Sequence, residues 1–124
     1  MRLLLDTHAF LWWMEESPAL SATARTIIAD PGNSVLFSIA SCWELLIRRS
    51  LGKLKFPADP ETALRAEGFA LLPVSFAHLR QLEELPLLHR DPFDRMLISQ
   101  SLAERIPIVT GDPVFAAYPA EIVW

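Results

Sequence analysis

Hydrophobic and polar positions divide this chain into short apolar runs alternating with stretches of helical period. Arg2 to Leu5 is a short apolar run without alternation, as expected of a strand buried on both faces of a parallel sheet, and it stops at Asp6. Thr7 through Met14 follows as a helix that is apolar nearly all round, with Phe10, Trp12 and Trp13. Helices of that kind are central or covered by a partner. Ser17-Pro18 marks a loop, and Ser21 caps a second helix ending at Ala29, with Ala24, Ile27 and Ile28 on its inner face. Asp30-Pro31-Gly32-Asn33 is a turn, and Ser34 to Phe37 a second buried strand.

The third helix runs from Ile39 to about Leu51. Ile39, Trp43, Leu46 and Ile47 give it one apolar stripe, flanked by Glu44, and Gly52 ends it. Phe56-Pro57 through Pro60 reads as a linker. Glu61 to Glu67 is a short helix closed by Gly68, Phe69 to Val74 a third strand, and Ser75 to Leu85 another helix. Asp91-Pro92 is a strong helix opening, Asp as N-cap and Pro at the first helical position, for a helix that extends to Arg105. Ile106 to Val109 is then a short buried strand, Val114 to Tyr118 a brief helix, and Glu121 to Trp124 a terminal edge strand. Strands alternating with helices, and no hairpin signal, predict a three-layer α/β domain with a short parallel sheet flanked by helices.

At 124 residues, just over half of them apolar, the chain is expected to be one ordered domain over residues 1–124. A net charge of −4 argues against a broad electrostatic footprint for nucleic acid and leaves room only for a local basic groove. The densest basic cluster is Arg48, Arg49, Lys53 and Lys55, which suits either a solvated helix end or contact with phosphate. The single cysteine, Cys42, has no internal partner and reads as core, which implies a reducing compartment. No run reaches membrane-spanning length and no targeting segment is evident, so a cytoplasmic address without membrane contact is expected.

Four carboxylates stand at informative places. Asp6 and Asp112 follow strands, Asp94 lies in the first turn of a helix, and Glu44 sits about two turns into a helix that follows a strand. Each has an ordinary structural explanation. Asp6 and Asp112 can cap helices, Asp94 suits a helix dipole, and Glu44 can pair with Arg48 at i+4. All four can nevertheless project at the C-terminal edge of one sheet, where ligand sites of α/β proteins form. Several carboxylates in one pocket repel one another, and a divalent cation removes that cost. An all-acid donor set with water suits Mg²⁺ or Mn²⁺, and no His/Cys set for zinc is present.

The segments that carry these residues are Leu3-Leu4-Leu5-Asp6-Thr7-His8, Ser38 to Leu45, His89 to Arg95, and Thr110-Gly111-Asp112-Pro113-Val114-Phe115. Together, in this order and at these separations, they resemble the four signature segments of PIN-domain ribonucleases, most closely the VapC-type toxins of toxin–antitoxin pairs. The resemblance covers essentially the whole chain. It implies a PIN fold, metal-dependent endoribonuclease activity on an RNA substrate, homodimerisation and inhibition by a cognate antitoxin. Asp6, Glu44, Asp94 and Asp112 match its four acidic positions, as metal ligands and catalytic residues, and Thr110 its small hydroxyl residue. Arg48, Arg49 or Lys53 would hold the RNA backbone. Asp91 lies outside the four and is kept as an N-cap, with an outer-shell role at the site left open. Tyr118-Pro119-Ala120 departs from the glycine-containing turn of the family. A phosphate-accepting receiver would need further carboxylates beside Asp6 and a late lysine, whereas the last lysine is Lys55. The alternative function is a non-catalytic PIN-like module that binds a partner protein or RNA.

Overall fold

Five strands form one sheet in the order β3-β2-β1-β4-β5, and every described pairing is parallel. The computed structural model describes residues 1–56 and 59–124, so Pro57 and Ala58, in the predicted linker, lie outside the described residues. The strands are β1 (Arg2–Leu5), β2 (Ser34–Ser38), β3 (Ala70–Leu72), β4 (Ile108–Val109) and β5 (Ile122–Val123). Helices α1 (Thr7–Met14), α2 (Ala22–Ala29), α3 (Ile39–Ser50), α4 (Pro60–Ala66), α5 (Phe76–Glu84) and α6 (Pro92–Glu104) connect them, with a 3-10 helix at Pro113–Ala117. The expected elements are therefore all present, with some bounds shortened by a few residues. The third strand keeps only Ala70–Leu72 of the expected Phe69 to Val74. The edge strand β5 pairs with β4 alone.

Alternation along β1 builds the layers. Leu3 and Leu5 face one core with Phe10, Ala24, Ile28, Phe37 and Leu64, so α1, α2 and α4 cover that side. Leu4 faces the other core with Leu36, Leu85, Leu97, Ile98 and Ile108, so α5 and α6 cover the opposite side. Both faces of β1 are fully buried, which is why its sequence shows no polar alternation.

The structure decides where two apolar faces lie. The apolar stripe of α3 does not face the core: Trp43 is 62% exposed, and Ile39, Leu46 and Ile47 are also exposed. Ala40, Ser41, Glu44 and Leu45 turn inward instead. The helix packs on β2 and α6, and Ser41 and Glu44 of its inward face meet Thr7 at the start of α1. Phe10, on the other hand, is buried, and Trp12 and Trp13 pack half-buried against the core, so α1 has no unpartnered aromatic face. Cys42 is half-buried against that core, and burial pushes its thiol up, as suits an inert side chain.

Candidate active site

The connection order places a switch point between β1 and β4. The chain leaves β1 toward β2 on one side, and β4 enters on the other, which opens a crevice beyond the strand ends. Asp6 directly follows β1, and Thr110-Gly111-Asp112 follows β4. Asp6 and Asp112 line one cleft of about 250 Å³ together with His8, Trp12 and Gly111. A Cβ built on Gly111 would lie 2.5 Å from the Trp124 ring, so only glycine lets that ring close down on the turn between Thr110 and Asp112.

Each carboxylate is braced. Asp6 caps α1, accepting from the Ala9 N–H at 2.6 Å through Oδ1, and accepts from Thr110 Oγ1 through Oδ2. Asp112 caps the 3-10 helix by accepting from the Val114 N–H at 3.0 Å, while its own N–H donates to Thr110 Oγ1. Thr110 thus ties the two strand ends together. Glu44, 8% exposed, accepts from Thr7 Oγ1 at 2.9 Å and from Arg48 Nη2 at 2.9 Å. Thr7 follows Asp6, so this bond joins α3 to α1. Asp94 lies in the first turn of α6 and pairs with His89 Nε2 at 2.9 Å. Asp91 is the N-cap of α6, accepting from the Phe93 and Asp94 N–H groups.

Electrostatics links these groups. Burial pushes the Asp6 carboxyl up to about 6, against the hydrogen bonds from Thr110 and Ala9, and the charge of Asp94 raises it further. Asp94 is raised as well, first by burial, and then by the charges of Asp91 and Glu44 against the hydrogen bond from His89. Asp6 feels Asp94, Asp94 feels Glu44, and Asp6 shares its cleft with Asp112. These are hard oxygen donors with too little positive charge around them, the setting a divalent cation corrects, so the donor set fits Mg²⁺ or Mn²⁺. Among the described residues, the group whose ligand atoms all lie within 4.8 Å of one another is His89, Asp91 and Asp94, and no three of Asp6, Glu44, Asp94 and Asp112 come that close together.

The basic residues behave differently from one another. Arg48 is engaged by Glu44, Arg49 donates to the Phe56 carbonyl at 3.4 Å, and Lys53 is exposed. A groove of about 520 Å³ on the surface is apolar, with Ile39, Trp43, Leu79, Phe93 and Met96 in its lining, and holds none of the carboxylates. Sequence reading passed over Thr7 and gave His89 no role. The signal for His89 was its place two residues before an N-cap, within side-chain reach of the first turn of α6.

Residues 3–121 match the PIN domain, and the chain belongs to that family. It is 40% identical to Ribonuclease VapC16 of Mycobacterium tuberculosis (strain ATCC 25618 / H37Rv), in a match spanning 49% of this chain and 49%, about half the length, of that protein. Among solved structures it resembles VapBC2 from Rickettsia felis bound to a DNA fragment from their promoter, with a TM-score of 0.76 at 17% identity over 100% of this chain and 99% of that one. A toxin–antitoxin complex from Klebsiella pneumoniae gives a TM-score of 0.64 at 15% identity, covering 98% of this chain and 96% of that chain. FitAcB from Neisseria gonorrhoeae gives 0.62 at 14% identity with the same coverage. At such identities these structures establish the fold.

Proposed function

We propose that this protein is a divalent-metal-dependent endoribonuclease, the toxin of a toxin–antitoxin pair. The observation that supports the reading is Asp6, which follows β1 and shares a cleft with Asp112 of the β4 end, its carboxyl pushed up to about 6 by burial. The likeness to Ribonuclease VapC16 supports the chemistry, and the complexes named among the solved structures support a protein antitoxin as partner.

Asp6, Glu44, Asp94 and Asp112 would hold Mg²⁺ or Mn²⁺. A bound divalent ion supplies charge for the phosphodiester transition state and acidifies a water. The chain's own part is orientation. Thr110 and Ala9 fix the rotamer of Asp6, Thr7 and Arg48 fix Glu44, and the Val114 N–H fixes Asp112. Glu44 is the carboxylate we assign to taking the proton of the attacking water. Arg49, in the last turn of α3, and Lys53, just past its end, would hold the RNA backbone, while Arg48 serves first as the partner of Glu44. The protein is also proposed to form a homodimer, using the exposed stripe Ile39, Trp43, Leu46 and Ile47. A cytoplasmic address completes the reading, in keeping with the lack of any membrane-spanning helix among the described residues.

The test is cleavage of RNA with Mg²⁺ or Mn²⁺ by the parent and by Asp94→Asn. The variant keeps the shape of the side chain and removes its charge. Cleavage should fall by at least about 100-fold with the fold intact. An Asp94→Asn protein that cuts at the parent's metal-dependent rate sinks the reading, and a parent that binds RNA without cutting it favours the non-catalytic module.

A further inference from the structure

We infer that His89 is a positioning residue of this site, holding the Asp94 carboxylate in place, and that Tyr118 anchors His89 in turn. The inference rests on the reading of the carboxylates as a metal site and assigns two residues that the four acids leave unexplained. Among the described residues, Asp94 has one side-chain hydrogen bond, from His89 Nε2 to Oδ2 at 2.9 Å. An ionised carboxylate only accepts, so Nε2 carries the proton of that bond. One oxygen of Asp94 is thereby fixed and the other is left for a cation, the division of labour that orients a metal ligand. Asp6, Glu44 and Asp112 have threonine, arginine or backbone partners for this purpose, and for Asp94 the partner is a histidine.

The imidazole is held through its backbone. Tyr118 is 4% exposed, and its hydroxyl oxygen accepts from the His89 N–H at 2.9 Å and the Leu88 N–H at 3.2 Å. Arg95 Nη1 donates to the same oxygen at 3.3 Å, and its guanidinium also donates to the carbonyls of Pro86 and Leu85. The connection between α5 and α6 is thus pinned by one side chain from α6 and one from the end of the 3-10 helix. Tyr118 stands where a glycine-containing turn was expected. Its phenol reaches across to this connection, a task glycine cannot perform.

The experiment measures Mn²⁺ binding by calorimetry and by electron paramagnetic resonance, beside RNA cleavage, for the parent, His89→Ala, His89→Gln and Tyr118→Phe. His89→Ala should bind Mn²⁺ about 10–100-fold more weakly with unfolding little changed, as is typical when the partner of a metal ligand is removed. His89→Gln, whose amide can still donate to Asp94, should recover most of the loss. Tyr118→Phe should fall in the same direction by less. His89→Ala with parental Mn²⁺ affinity overturns the inference and leaves the metal site standing. Nitrogen coupling to bound Mn²⁺ that vanishes in His89→Gln also overturns it, by making His89 a ligand. A parent that binds no Mn²⁺ overturns the metal site and this inference together.

Discussion

Asp6 serves as helix cap and as charged group at once, and the two roles pull its protonation in opposite directions. The cap and Thr110 favour the carboxylate, burial opposes it more strongly, and the balance lies at about 6 against an ordinary 3.8. A group whose folded value is raised contributes stability fully below its unfolded value and loses it as pH rises through about 6. In metal-free protein this one residue therefore weakens the fold by roughly 2 kcal/mol between pH 4 and 7. Thermal unfolding in chelator should show the parent gaining on Asp6→Asn as pH falls from 7 to 5, and Mn²⁺ at pH 7 should restore the parent. A gap independent of pH would show that Asp6 is not under this constraint. The carboxylates were legible as acidic residues at strand ends and a helix start. Their braces were not, because Thr7 meets Glu44 across 37 residues and Thr110 meets Asp6 across 104.

The opening of α6 separates a structural acid from the proposed functional one. Asp91 accepts from two backbone N–H groups and Pro92 begins the helix, so its Asp-Pro signature was readable locally. Asp91→Ala should cost about 1 kcal/mol in urea unfolding, while Asp91→Asn, which still caps, should be nearly neutral in both stability and cleavage. Asp94→Asn should do the reverse, with little effect on unfolding and a large effect on cleavage. Equal loss of activity in Asp91→Asn would move Asp91 into the site. The outward stripe of α3 is the element whose pattern misleads. Its period declares an amphipathic helix, but period alone does not say which face meets the core. The inward face mixes Ala40 and Leu45 with Ser41 and Glu44, because the two polar residues meet Thr7 there.

For the whole molecule, the exposed face of α3 gives a test of association. Trp43 contacts Phe93 edge-on and is otherwise open, so Trp43→Glu should leave the monomer folded. If two copies pair through this face, light scattering at micromolar concentration should show a dimer for the parent and a monomer for Trp43→Glu. A parent that is strictly monomeric, or a variant dimer indistinguishable from the parent, counts against that pairing.

The sequence alone determined the alternation of strands and helices, the caps at Asp6, Ser21 and Asp91, and the parallel character of the sheet. These follow from local period and turn chemistry, interactions within a few residues. It also marked the four acids, because strand ends and helix starts are local features. Only the tertiary structure decided the order β3-β2-β1-β4-β5, which sets the crevice between β1 and β4. It alone turned the α3 stripe outward, joined Thr110 to Asp6, and set the Tyr118 hydroxyl beneath His89. Those contacts close long loops, and their geometry depends on how the two cores fill on either side of β1, which no local pattern encodes.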